Sequence, residues 1–103
     1  MSTSESPQVA AIRARYQTSL MEKSQLIDNH AKAVNKANSE AAMQAATQEL
    51  REDLHKLAGS AGMYGYTDIS EVCRKAMKVV DNNVTDELES CLAELQDLIK
   101  VHA

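Results

Sequence analysis

Met43-Gln-Ala-Ala-Thr-Gln-Glu-Leu-Arg-Glu-Asp-Leu-His-Lys-Leu-Ala-Gly-Ser-Ala-Gly-Met-Tyr64 carries the cleanest periodicity in the chain. Its apolar members Met43, Ala46, Leu50, Leu54, Leu57, Ala61 and Tyr64 are spaced by 3, 4, 4, 3, 4 and 3 residues. At 3.6 residues per turn that spacing keeps all seven on one side, so the stretch reads as an amphipathic helix with an unbroken buried stripe. Gly65 follows where a left-handed residue ends a helix, and Asn38 or Ser39 precedes it as an N-cap.

The same reading extends in both directions. Ser6-Pro7 opens a first helix, with proline in the first turn where its missing N–H is harmless. Val9, Ile12, Tyr16, Leu20, Ile27, Ala31 and Val34 then line one face of a single long helix to about Lys36, with a kink or break as the alternative around Met21–Ser24, where the pattern weakens. After Gly65, Thr67 is the expected cap of a third helix with Asp68 in its first turn, and Ile69, Val72, Cys73, Ala76 and Val80 form the stripe. Asp81-Asn82-Asn83 reads as a turn. Thr85 is the expected cap of a fourth helix that carries Leu88, Leu92, Leu95 and Ile99, with Asp86 and Glu87 in its first turn. The expected fold is all-α: an antiparallel, up-down-up-down four-helix bundle over residues 7–103, preceded by a disordered segment, 1–6.

Composition agrees and narrows the possibilities. Three glycines and one proline in 103 residues leave little to interrupt helices. With three tyrosines and neither phenylalanine nor tryptophan, the core must be aliphatic. A net charge of −4 offers no basic stripe for phosphates, so nucleic acid is not an expected partner. No apolar run approaches the ~20 residues of a membrane span, and Ser2–Ser6 lacks the apolar segment of a signal peptide. A cytoplasmic protein is expected. Cys73 and Cys91 lack metal-ligand spacing and read as buried, reduced thiols.

His55 lies on the wrong side for a core residue. With His55 at zero on the helical wheel, the leucine stripe falls roughly opposite, while Gln48, Arg51, Glu52, Gly59 and Gly62 lie within roughly 60° of it. The ring therefore faces solvent in mid-helix. Two glycines on its face, each costing roughly 0.5–1 kcal/mol relative to alanine, suggest bare backbone kept for a close approach. The competing reading is that Gly59, Gly62 and Gly65 only loosen a helix end. An unprotonated imidazole is a nucleophile available near neutral pH, which suits attack on a phosphoryl group. A metal site is not expected, because the positions one turn either side are Arg51 and Gly59. Nor does any serine sit in a strand–turn–helix setting for a catalytic triad.

His55-Lys-Leu-Ala-Gly59-Ser60-Ala61, followed by Gly65 and Ile69…Cys73-Arg-Lys, resembles the signature of histidine-containing phosphotransfer (HPt) domains. Those are four-helix bundles that shuttle a phosphoryl group between aspartates of receiver domains. The resemblance implies that His55 is the phosphoacceptor, that Gly59 leaves room for the receiver, and that Ser60 is the small residue packed beside it. It implies a cofactor-free chain, with Mg²⁺ and the aspartate brought by the receiver.

Two positions depart from the pattern. Ala58 stands where many members carry a lysine beside the phosphate. Met77 stands where some place a polar side chain against the ring. Lys56 and Arg51 are then the cations expected near the phosphate, each otherwise an ordinary solvated charge. Gln48, Glu52, Gly62 and Met63 are the expected receiver-docking residues. Arg74, Lys75 and Lys78 read as a solvated face that could steer an acidic partner; His30 and His102 read as structural or solvated.

The expected function is a monomeric phosphocarrier between a hybrid kinase's receiver and a response regulator. It is not a kinase, since no Gly-rich phosphate loop occurs. A helical adaptor that docks without carrying phosphate is the alternative, and self-association through the glycine face is a third.

Overall fold

The structure, a computed structural model, describes residues 6–82 and 85–102. Nearly all of them are in four helices: α1 (Pro7–Lys36), α2 (Glu40–Met63), α3 (Thr67–Asp81) and α4 (Thr85–His102). No strand occurs among the described residues.

Capping chemistry explains most boundaries. The Ser6 hydroxyl accepts the Val9 N–H at 3.2 Å with Pro7 as the first helical residue, so Ser6, expected in the disordered start, is ordered as a cap. Residues 1–5 of that segment lie outside the described residues. Ser39 caps α2 by accepting the Ala42 N–H at 3.1 Å. Gly65, at φ +88°, closes α2: Tyr66 N–H donates to the Ala61 carbonyl at 2.8 Å and Gly65 N–H to Gly62 at 3.2 Å. That tight closure shifts the start of α3. Tyr66 takes the cap position with no capping side chain, and Thr67, the expected cap, is already helical. Asp68 partly compensates, its carboxylate accepting the Ile69 N–H at 2.8 Å. Asn82 ends α3 by donating to the Lys78 carbonyl; Asn83, expected in that turn, lies outside the described residues, and Thr85, expected as the cap of α4, is already its first helical residue. Asp86 and Glu87 stand in the first turn of α4.

Across the weaker stretch Met21–Ser24, α1 is continuous, the single long helix that its apolar face predicts. The local pattern is weak there, but α4 supplies what the stripe lacks. The Ser24 hydroxyl donates to the Gln96 side chain, and Gln96 Nε2 donates to the Ser24 carbonyl at 3.2 Å.

Paired contacts fix the helix directions. Tyr16 meets Ser60 while His30 meets Asp53, so α1 and α2 run oppositely. Ser70 meets Ala58 while Asp81 meets Arg51, reversing α3 against α2. Asp68 meets His102 while Lys75 meets Glu94, reversing α4 against α3. Gln17 reaches the His102 carbonyl while Ser24 reaches Gln96, which closes α4 antiparallel on α1. The bundle is up-down-up-down.

Leu20, Ile27, Leu50, Leu54, Leu57, Ile69, Leu95 and Ile99 are almost wholly buried at its centre. The stripes do not stay buried to their ends. Val9 is 45% and Ile12 48% exposed, because α1 runs on past the ends of α2 and α4. Met43, expected in the core, is 47% exposed. Arg51 already faces the last residue of α3, so the earlier turns of α2 have no α3 beside them. Tyr64, at 40%, stands at the rim.

Cys73 and Cys91 are buried free thiols. Burial pushes the Cys73 thiol up to about 12. The folded state therefore holds this proton more tightly than the unfolded chain does. The resulting stability is complete below the unfolded value of about 8.5 and is lost as pH rises from there through 12. The expected outcome is a thermal midpoint that holds to about pH 8.5 and then falls less steeply in Cys73→Ala than in the parent. Alkylation of native Cys73 at pH 7.5 is expected to be slow and to accelerate in denaturant.

Candidate functional site

His55 stands exposed in the second half of α2, with Leu54, Leu57, Ala58 and Ala61 buried behind it. No hydrogen bond or ion pair engages its ring among the described residues. The helix beneath it is tied on both flanks. Toward α1, the His30 ring bonds Asp53 through Nδ1 and lies 3.3 Å from Glu49 through Nε2. The Tyr16 hydroxyl and Ser60 Oγ are 2.8 Å apart. Toward α3, Arg51 binds Asp81 through Nε at 2.7 Å and Nη2 at 3.2 Å. The buried Ser70 hydroxyl donates to the Ala58 carbonyl at 2.8 Å. A free ring on a braced helix is a nucleophile whose position is set without using its own nitrogens.

The glycines on this face are not equivalent. A Cβ added at Gly59 would meet nothing within 4 Å, so the fold itself has no need of glycine there. A Cβ at Gly62 would stand 3.4 Å from Ser70 Oγ. Gly62, expected only to clear the surface for a partner, therefore also borders α3. Gly65 is required by its positive φ.

Among the other expected site residues, Gln48 and Glu52 are exposed, with Gln48 Nε2 3.4 Å from Glu52 Oε1. Met63 is 84% exposed. Lys56 is exposed and pairs with nothing among the described residues. Arg51, expected to be free for phosphate, is instead held by Asp81 of the neighbouring helix. The pairing raises the guanidinium above its ordinary value and holds the Asp81 carboxyl below the usual carboxylate range, in both cases through the hydrogen bonds. Ser60 is engaged by Tyr16. Ala58 is buried, its carbonyl bonded by Ser70 of α3, and half-buried Met77 packs on the core. Lys75 pairs with Glu94 at 3.5 Å, leaving Arg74 and Lys78 as exposed cations on α3.

His30 and His102 are both structural. His102 Nε2 lies 2.8 Å from Asp68, and its ring stands edge-on to Tyr66 at 4.9 Å. That bond holds the Asp68 carboxyl below its ordinary value. Tyr64 and Tyr66 stack on Tyr16 at 4.1 and 5.6 Å, gathering all three tyrosines of the chain where α2 turns into α3. No group of three or more His, Cys, Asp or Glu side chains among the described residues is placed to hold a metal. No described helix is long and apolar enough to cross a membrane.

Periodicity could not find Ser70 or the Tyr16–Ser60 pair, since both depend on helix register. Asp81 did leave a signal: a carboxylate as the last residue of a helix opposes the dipole and calls for a cation.

A four-helix bundle with a braced, outward histidine in mid-helix defines a class of protein that presents an imidazole to a docking partner. A family model described as Hpt domain matches residues 11–101, and the chain belongs to that family of histidine-containing phosphotransfer domains. Its general function is therefore histidine phosphotransfer in a phosphorelay with receiver domains, as a phosphocarrier and not a kinase. No curated protein and no solved structure matches the chain.

Proposed function

We propose that His55 accepts the phosphoryl group from the aspartyl phosphate of a hybrid kinase's receiver and returns it to the aspartate of a response regulator, in the cytoplasm and as a monomer. The observation that carries this is the exposed ring one turn before Gly59, where nothing fills the space a side chain would take. In the first step the imidazole lone pair attacks phosphorus. The P–N bond forms, the P–O bond breaks, and the receiver's carboxylate leaves with its electron pair. The second step reverses this on another receiver. The receiver supplies Mg²⁺, which balances charge on the transferring group. This chain supplies a fixed nucleophile and a surface, with Gln48, Glu52, Gly62 and Met63 around the ring as the docking residues and Lys56 beside the phosphate.

An adaptor that docks without carrying phosphate is the second reading, favoured by one observation: Ala58 and Met77 leave the ring without the usual polar neighbours. Incubation with a phosphorylated receiver separates the two. Acid-labile, alkali-stable label on this chain is the expected result, whereas a stable complex without label supports the adaptor.

A further inference from the structure

The Arg51–Asp81 pair links α2 to the end of α3 on the face that carries His55. Arg51 is four residues before His55, so the two are neighbours on one face of α2. Asp81 lies across on α3 as its last residue, where the helix dipole disfavours a carboxylate. Its presence there is not explained by the stability of α3. Both side chains are about half exposed, and exposed pairs of this kind contribute little to folding. A groove lined by Met43, Gln44, Gln48 and the pair itself runs beside them. Arginine's fork binds phosphate in two-point fashion as readily as carboxylate, and a phosphoryl group carries more charge.

We infer that Asp81 is a positioning residue for phosphotransfer: it holds Arg51 beside His55 while the histidine is free, and releases it to the phosphoryl group once His55 is phosphorylated. The inference rests on His55 being the acceptor. Lys56, unpaired among the described residues, and Glu52 share this face of α2, and Lys78, three residues before Asp81, remains to offset the released carboxylate. The bracing cation that the family usually draws from the position of Ala58 comes here from one turn before the histidine. Asp81 then competes with phosphate for it, which keeps phosphohistidine labile enough to pass on.

Phosphoramidate, a small-molecule donor, tests this on the whole chain without a cognate receiver. The rate of phosphohistidine hydrolysis is followed by ³¹P NMR in the parent and three variants. Asp81→Asn is expected to prolong the phosphohistidine about two- to fivefold, the range set by exposed charge pairs. Arg51→Gln is expected to shorten it, and Arg51→Gln/Asp81→Asn to match Arg51→Gln alone. In the parent, the Asp81 carboxyl is expected to titrate at higher pH in the phosphorylated protein, having lost its partner. An unchanged lifetime in Asp81→Asn overturns the inference. So does an equal gain in the double variant, which would make Asp81 a source of simple repulsion. Phosphohistidine that forms at His55 under either of those outcomes leaves the carrier reading standing. Failure of His55 to take up phosphate from this donor and from a phosphorylated receiver sinks both.

Discussion

His55→Gln is expected to eliminate phosphotransfer, with label on the chain falling below detection, while the bundle stays as stable as the parent. The fold makes no use of this ring: it is exposed, and none of the four ties that brace α2 involves it. Glutamine is at least as good a helix former as histidine, so stability should change by no more than about 0.5 kcal/mol. Chemistry is a different matter. The glutamine amide keeps the polarity but has no basic nitrogen lone pair to attack phosphorus. The other two histidines offer no substitute, since His30 is clasped by Asp53 and Glu49 and His102 by Asp68. Binding of a receiver by His55→Gln is expected to persist, because the surrounding surface is intact. Residual label on the variant would place the acceptor elsewhere and sink the assignment.

Gly59→Leu is expected to separate stability from function in opposite directions. Leucine is about 0.8 kcal/mol better than glycine inside a helix, and the space at position 59 is empty. For a domain of this size that gain corresponds to a thermal midpoint about 4 °C higher. Transfer from a phosphorylated receiver is expected to drop on the order of 100-fold, because a bulky side chain one turn from the ring holds phosphorus away from the attacking nitrogen. Phosphorylation by phosphoramidate, which needs no docked protein, is expected to survive. A variant that is more stable and still transfers at the parental rate would show that the bare surface serves no partner.

The three glycines illustrate what could be read from the chain alone. Gly65 was legible as a helix terminator because left-handed closure is a local property, and its φ of +88° bears this out. Gly59 was legible as bare surface because its angle from His55 follows from helical geometry. Gly62 was legible only in part, since its Cβ position faces Ser70, a neighbour 8 residues on in sequence and placed there by the turn into α3. Met43 reads as part of a buried stripe and Val9 and Ile12 as part of the apolar face of α1, yet all three are exposed, for a related reason. A helix's apolar face is written in its own sequence, but whether another helix reaches far enough to cover it is not.

Four helices, their boundaries within a residue or two, the outward histidine and the acceptor-like motif all came from the sequence by itself, because propensity, capping and the 3.6-residue period act over neighbours along one chain. Tertiary structure alone decided that Arg51 is held by Asp81, that Tyr16 ties to Ser60, that Ser70 takes the Ala58 carbonyl and that Gln96 of α4 bonds the Ser24 carbonyl of α1. Each of those depends on the register and relative length of helices packed side by side, which a single helix cannot encode.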